Sequence, residues 1–183
     1  MNRFAQPPQS WQEITGFIQE TALGREILKR FLSLCQSGKL RVQAYPQDLR
    51  VELLAVQAPG CPLGAAFITD GWEGRILYDG QGELGIVVPF VFHEMVHSLD
   101  ERLWAAAQQN LGARDRNELI YSSECLAFSA QHELQVGLKK IYPELNSFHK
   151  DRYPHLGFLN REFSPQDIAL LYGFEWPWEG LAV

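Results

Sequence analysis

His93, Glu94 and His97 are the residues of this chain whose types and spacing amount to chemistry, in the stretch His93-Glu94-Met95-Val96-His97. On an α-helix, residues four apart stand on one face, one turn above the other. Both imidazoles can therefore turn toward a single ion, and neutral imidazole is a good ligand for Zn²⁺. Glu94 emerges beside such an ion rather than on it. That is the station of a general base, which takes a proton from a water made acidic by the metal. The pattern predicts zinc-assisted hydrolysis, with peptide bonds as the substrate class.

The prediction requires a helix under these residues. Val87-Val88-Pro89-Phe90-Val91-Phe92 leads in, and Pro89 fits a first-turn proline. Leu99, Leu103 and Trp104 carry the pattern on to Leu111-Gly112. The flank is apolar, as a buried active-site helix demands.

A catalytic zinc usually has three protein ligands and one open position. Asp100 follows His97 by three residues and shares the histidines' face, but no glycine interrupts the helix between them. It is expected beside the site, orienting a histidine through its other ring nitrogen. A solvated carboxylate is the alternative. The third ligand is expected on the next helix, over 115–141, where Leu119, Ile120, Ala127, Ala130, Leu134, Leu138 and Ile141 mark a broad apolar face. Glu124 lies in that face. A carboxylate among apolar neighbours is costly unless an ion or metal satisfies it, and the small Ala127 allows a close helix approach. A hydrogen-bonded core carboxylate is the competing reading of Glu124.

Two histidines in an H-E-x-x-H helix, with a glutamate on a following helix, resemble the gluzincin branch of zinc metallopeptidases. Glu124-Cys125-Leu126-Ala127 is similar to the E-x-x-A element of its small members, and His97-Ser98-Leu99-Asp100 to their extended metal helix. The resemblance covers about 88–130 of the chain. It implies His93, His97 and Glu124 as zinc ligands and Glu94 as general base. No third histidine follows His97 in the metzincin manner. Tyr121, His132, His149, Tyr153 and His155 are the downstream candidates for stabilising an oxyanion.

The rest of the chain must position these groups. Residues 10–37 read as helical, starting at a capping box, Ser10-Trp11-Gln12-Glu13, and renewing their apolar stripe after Thr21. Four short strands are expected over 40–45, 50–56, 65–69 and 75–78, and an exposed sheet edge beside a metal offers an extended peptide a place to add. From Pro143 the pattern is irregular, with Phe148 to Asn160 expected as an ordered loop. Ser164-Pro165 opens a short helix, and Trp176-Pro177-Trp178 is either a packed tail or an exposed anchor.

The expectation is one α+β, zincin-like domain over 1–183. In it a small, mostly antiparallel or mixed sheet packs on the active-site helix and the ligand-bearing helix, with helices at the N-terminus. Its 183 residues are enough to bury a core, with 46% hydrophobic and 21% charged residues. A net charge of −6 argues against nucleic acid as a partner. The partner expected is a peptide or protein substrate. Cys35, Cys61 and Cys125 form no paired motif, so a reducing compartment is expected, cytoplasmic by default. The first ten residues lack a Sec-type signal, export by another route stays open, and no run is long enough to span a membrane. The rival expectation is a metal-stabilised binding module without turnover, its fourth position closed by Asp100 or a later histidine. A second rival is a helical scaffold in which the motif is accidental.

Overall fold

Ser10 and Thr21 each start a helix in the computed structural model, which describes residues 2–58 and 60–174. Ser10 accepts from the Glu13 amide at the head of α1 (Trp11–Ile18), and Thr21 from the Gly24 amide at the head of α2 (Ala22–Gln36). The second cap divides the 10–37 span into two helices. The Glu13 carboxylate reaches past Ser10 to the Gln9 amide, at 2.7 Å.

Three strands follow among the described residues, not four. β1 (Leu40–Ala44) leads into α3 (Gln47–Val56), then come β2 (Ala65–Thr69) and β3 (Gly74–Tyr78). The segment expected as a strand over 50–56 is helical. Its alternation of Val51, Leu53 and Ala55 suits a strand, but Arg50, Glu52, Leu53, Leu54 and Ala55 are good helix formers. The segment also buries none of its residues, so no sheet face enforces period two. Arg50 ties α3 to the sheet through Asp79, with Nε to Oδ1 at 2.6 Å. The sheet is mixed, in the order β1-β3-β2, with β3 parallel to β1 and antiparallel to β2. β2 is thus an edge. At the β2–β3 turn Asp70 accepts from the Trp72 and Glu73 amides, and Gly71 supplies the positive φ of 90°.

The histidine helix α4 (Leu84–Ser98) is apolar on every side and buried along nearly its whole length, as a central helix must be. It begins five residues before Pro89, which lies inside the helix rather than in its first turn. Proline has no N–H, so the carbonyl four residues back, Gly85 O, loses its helical partner. His149 Nε2 donates to that oxygen instead, at 2.8 Å. Gly85 is also where the Phe148 ring lies against the backbone; a Cβ there would meet the ring at 2.5 Å.

The helix stops at Ser98, where the sequence pattern runs on. Asp100 caps a new short helix, α5 (Glu101–Ala107), by accepting from the Arg102 amide, and Trp104 Nε1 donates to the freed Ser98 carbonyl at 2.9 Å. The long α6 (Ala113–Ile141) packs along α4 and bears Glu124. α7 (Pro143–Arg152) and α8 (Gly157–Asn160) replace the loop expected there, and α9 (Pro165–Tyr172) opens on a complete Ser164–Asp167 capping box. The main core gathers α4 with α1, α2, the sheet, α6 and α7. A smaller cluster, Tyr121, Cys125, Phe128, Ile168 and Ala169, joins α9 to α6. Among the described residues no helix is long and apolar enough to cross a membrane. Trp176-Pro177-Trp178 lies outside the described residues.

Candidate metal centre

α4 and α6 bring His93, His97 and Glu124 to one point. His93 Nε2 lies 3.0 Å from His97 Nε2 and 3.1 Å from Glu124 Oε2, and His97 Nε2 lies 3.3 Å from Glu124 Oε1. All three residues are buried, and together they could hold a metal ion. With metal–ligand bonds of about 2.0–2.1 Å, as for zinc, a regular tetrahedron has edges of about 3.3 Å. The donor atoms already stand near those separations.

The outer ring nitrogens fix the tautomers. His93 Nδ1 lies 3.0 Å from Gln131 Oε1, an acceptor, so that nitrogen carries the proton. His97 Nδ1 lies 2.9 Å from Ser123 Oγ, whose own hydroxyl bonds the Asp100 carboxylate. The serine hydrogen goes to Asp100, and the serine oxygen accepts from His97. Both Nε2 lone pairs therefore converge on the Glu124 carboxylate. Three acceptors at these distances repel unless a cation, either a proton or a metal, lies among them. The Phe128 ring packs edge-on against His93, with centroids 4.6 Å apart, and holds it in this orientation.

The carboxylates respond in opposite directions. Burial pushes Glu94 up, only partly offset by His93, His97 and the Phe67 amide. Burial also acts to raise Glu124, but hydrogen bonds and charge from both histidines overcome it and bring it down to about 2. Burial acts to lower His97, yet Glu124 beside it leaves it raised. Two carboxyl groups with their affinities for protons driven apart suit two roles, one as an ionised ligand and one as a proton carrier.

Glu94 faces the sheet. Its Oε2 accepts from the Phe67 amide of edge strand β2 at 2.8 Å. A pocket of about 160 Å³ opens here, walled by Glu94, His97, Glu124, Phe67, Leu103 and Ile120.

No protein-family model, curated protein or solved structure matches this chain. What the site can do follows from its own donors and acceptors.

The sequence places His93, His97, Glu94 and Glu124 together, and the fold assembles all four. Asp100 reaches the site one residue further out than expected, through Ser123 rather than on a histidine itself, while Arg102 Nη2 pairs with it at 2.8 Å. The candidates for the oxyanion have other tasks or positions. Tyr153 donates to Glu83 at 2.6 Å, His149 serves Gly85, His155 is exposed, and Tyr121 lies in the α6–α9 cluster. His132 is half-buried on α6, about two turns past Glu124. Tyr172, which the sequence did not single out, hydrogen-bonds the Glu124 carboxylate, and its pKa is raised by burial, Glu124 and Glu94. Tyr45, following β1, is raised to about 12 by burial, Glu94 and Asp79. Gln131 and Ser123 were also missed. The signal for Gln131 was available, since it lies seven residues past Glu124 on the same face of α6. Ser123, one residue before Glu124, is about 100° around the helix, and only the packing of α6 on α4 brings it to His97.

Proposed function

We infer that this chain is a zinc-dependent metallopeptidase of zincin-like architecture. The observation that carries the reading is the convergence of the His93 and His97 Nε2 atoms and the Glu124 carboxylate within 3.3 Å of one another, with a second carboxylate, Glu94, poised alongside them. A His₂Glu donor set leaves a tetrahedral ion one open position, the arrangement of a hydrolytic zinc. Asp100, the fourth donor that a closed structural site would need, is turned to Arg102 and Ser123.

An ion held by His93, His97 and Glu124 supplies Lewis-acid polarisation of a carbonyl and a water acidic enough to lose a proton near neutral pH. Everything else falls to the chain. Glu94, raised by its burial, takes the proton from the attacking water and later delivers it to the departing amine nitrogen. Its bond to the Phe67 amide holds the carboxylate on the sheet side of the pocket. An extended peptide laid along the outer edge of β2, beside the Phe67 amide that Glu94 holds, would bring its carbonyl carbon to that water. Phe67, Leu103 and Ile120 give the pocket its apolar wall.

The test is metal content by elemental analysis together with cleavage of a pool of quenched-fluorescence peptides. Wild type should carry about one zinc per chain and cleave members of the pool. E94Q should keep the zinc and lose about 10²- to 10⁴-fold in rate, the usual worth of a general base. A zinc-loaded wild type that cleaves no better than E94Q would leave a metal-stabilised binding module.

A further inference from the structure

The centre consists of acceptors. His93, His97 and Glu124 all present lone pairs, and Glu94 is a carboxylate. Hydrolysis through this site needs a donor as well, because the carbonyl oxygen becomes an anion when the carbon is attacked. The fold delivers one from outside the α4–α6 pair.

The donor is the last residue of α9. Ile168 and Ala169 bury that helix against Tyr121, Cys125 and Phe128 of α6, in the smaller core cluster. Beyond Tyr172 the chain turns at Gly173, with φ 68°, and the Phe174 amide closes back on the Ala169 carbonyl at 2.8 Å. The turn stacks the Phe174 ring on Tyr172, with centroids 5.7 Å apart and planes 13° from parallel. Phe174 in turn meets Tyr121 edge-on at 6.0 Å, and Tyr121 is three residues before Glu124 on α6. Two ring contacts and one capped helix end thus hold the Tyr172 phenol against the Glu124 carboxylate. The residue as a whole remains 43% exposed, so the ring borders solvent while its hydroxyl meets Glu124.

We propose that Tyr172 is the catalytic hydrogen-bond donor that receives the carbonyl oxygen of the scissile bond as it becomes an oxyanion. The proposal rests on the metallopeptidase reading and names the residue that completes it. The water oxygen bonds to the carbonyl carbon and its proton goes to Glu94. The π pair of the C=O bond moves onto oxygen, and the Tyr172 O–H turns from Glu124 to that oxygen. With an ion held by His93, His97 and Glu124, the Glu124 charge would be taken up and its hold on the phenol weakened. On collapse the C–N bond breaks, its electron pair leaves with nitrogen, and Glu94 returns the proton to it. The products are a carboxylic acid and an amine, and Tyr172 keeps its own proton throughout.

The experiment compares zinc-loaded wild type with Y172F on a peptide from the quenched-fluorescence pool. Phenylalanine keeps the ring stack on Phe174 and removes only the hydroxyl. The expected result is a kcat lower by about 100-fold, the usual worth of one such donor, with KM within about twofold and zinc content unchanged. A phosphinic peptide, whose tetrahedral P–O⁻ stands in for the oxyanion, should bind Y172F more weakly by about the same factor. Wild-type kcat in Y172F overturns the proposal. So does a kcat loss that tracks loss of zinc, which would make the phenol a support of Glu124, and so does a gain in kcat, which would make it a gate. If wild type itself matches E94Q, the metallopeptidase reading fails first and this proposal falls with it.

Discussion

The His93 and His97 Nε2 atoms face each other at 3.0 Å with their outer nitrogens both committed as donors, to Gln131 and to Ser123. In the neutral tautomers so fixed, neither Nε2 carries a proton to place between them. The pair is built for a cation, and Glu124 adds the charge that makes one welcome.

Metal affinity should depend on these outer partners as well as on the ligands. Glu124→Ala removes a charged ligand and should abolish tight zinc binding. Gln131→Leu and Ser123→Ala leave all three ligands in place but release the histidine tautomers. Each should weaken zinc by about 10- to 100-fold in a chelator competition titration. Unchanged affinity in both would mean that the outer hydrogen bonds play no part in holding the site.

Metal binding should also release protons. Without a metal the proton among the three acceptors belongs to His97, whose pKa Glu124 raises against the opposing effect of burial. Below that raised value zinc must displace a proton, and above it none remains to displace. Apparent zinc affinity should therefore climb as pH rises through that value and then level off. Calorimetry in two buffers of different ionisation enthalpy reads the proton count directly.

His149 stands where Pro89 leaves the Gly85 carbonyl without a helical partner. Burial, with Lys139 nearby, holds its pKa down at about 4, against an ordinary 6.5. The unfolded chain therefore binds a proton in a range where the folded chain does not. Stability from this residue is fully present above 6.5 and is lost as pH falls toward 4. Between pH 7 and pH 5 the loss should be about 2 kcal/mol. Urea midpoints across that range should shift accordingly, and His149→Gln should flatten the shift.

α3 is fastened at Arg50, whose partner Asp79 is 3% exposed. Arg50→Ala leaves that buried carboxylate, among the described residues, with no cation and only the Gln81 amide as a donor, and should cost about 3 kcal/mol. Amide exchange should quicken across 47–56, a helix that buries none of its residues, well before it does in α4. Equal acceleration in both helices would show that α3 is fixed by contacts other than this pair.

The sequence by itself determined the elements of the centre that follow from helical periodicity. His93 and His97 share a face because they are four apart, and Glu124 reads as buried because Ile120 and Ala127 flank it by a turn. The α+β mixture and the caps at Ser10 and Ser164 were legible for the same reason: each is set by residues within a turn or two. Tertiary structure decided what depends on distant partners. The 50–56 segment became a helix tied by Arg50 to Asp79, 29 residues away. α4 took Pro89 into its interior because His149, far along the chain, could serve the exposed carbonyl. Asp100 capped the next helix and reached His97 through Ser123. Tyr172 arrived at Glu124 because a second, aromatic cluster docks α9 on α6. Local periodicity selects which side chains share a face; only packing between elements selects which faces meet.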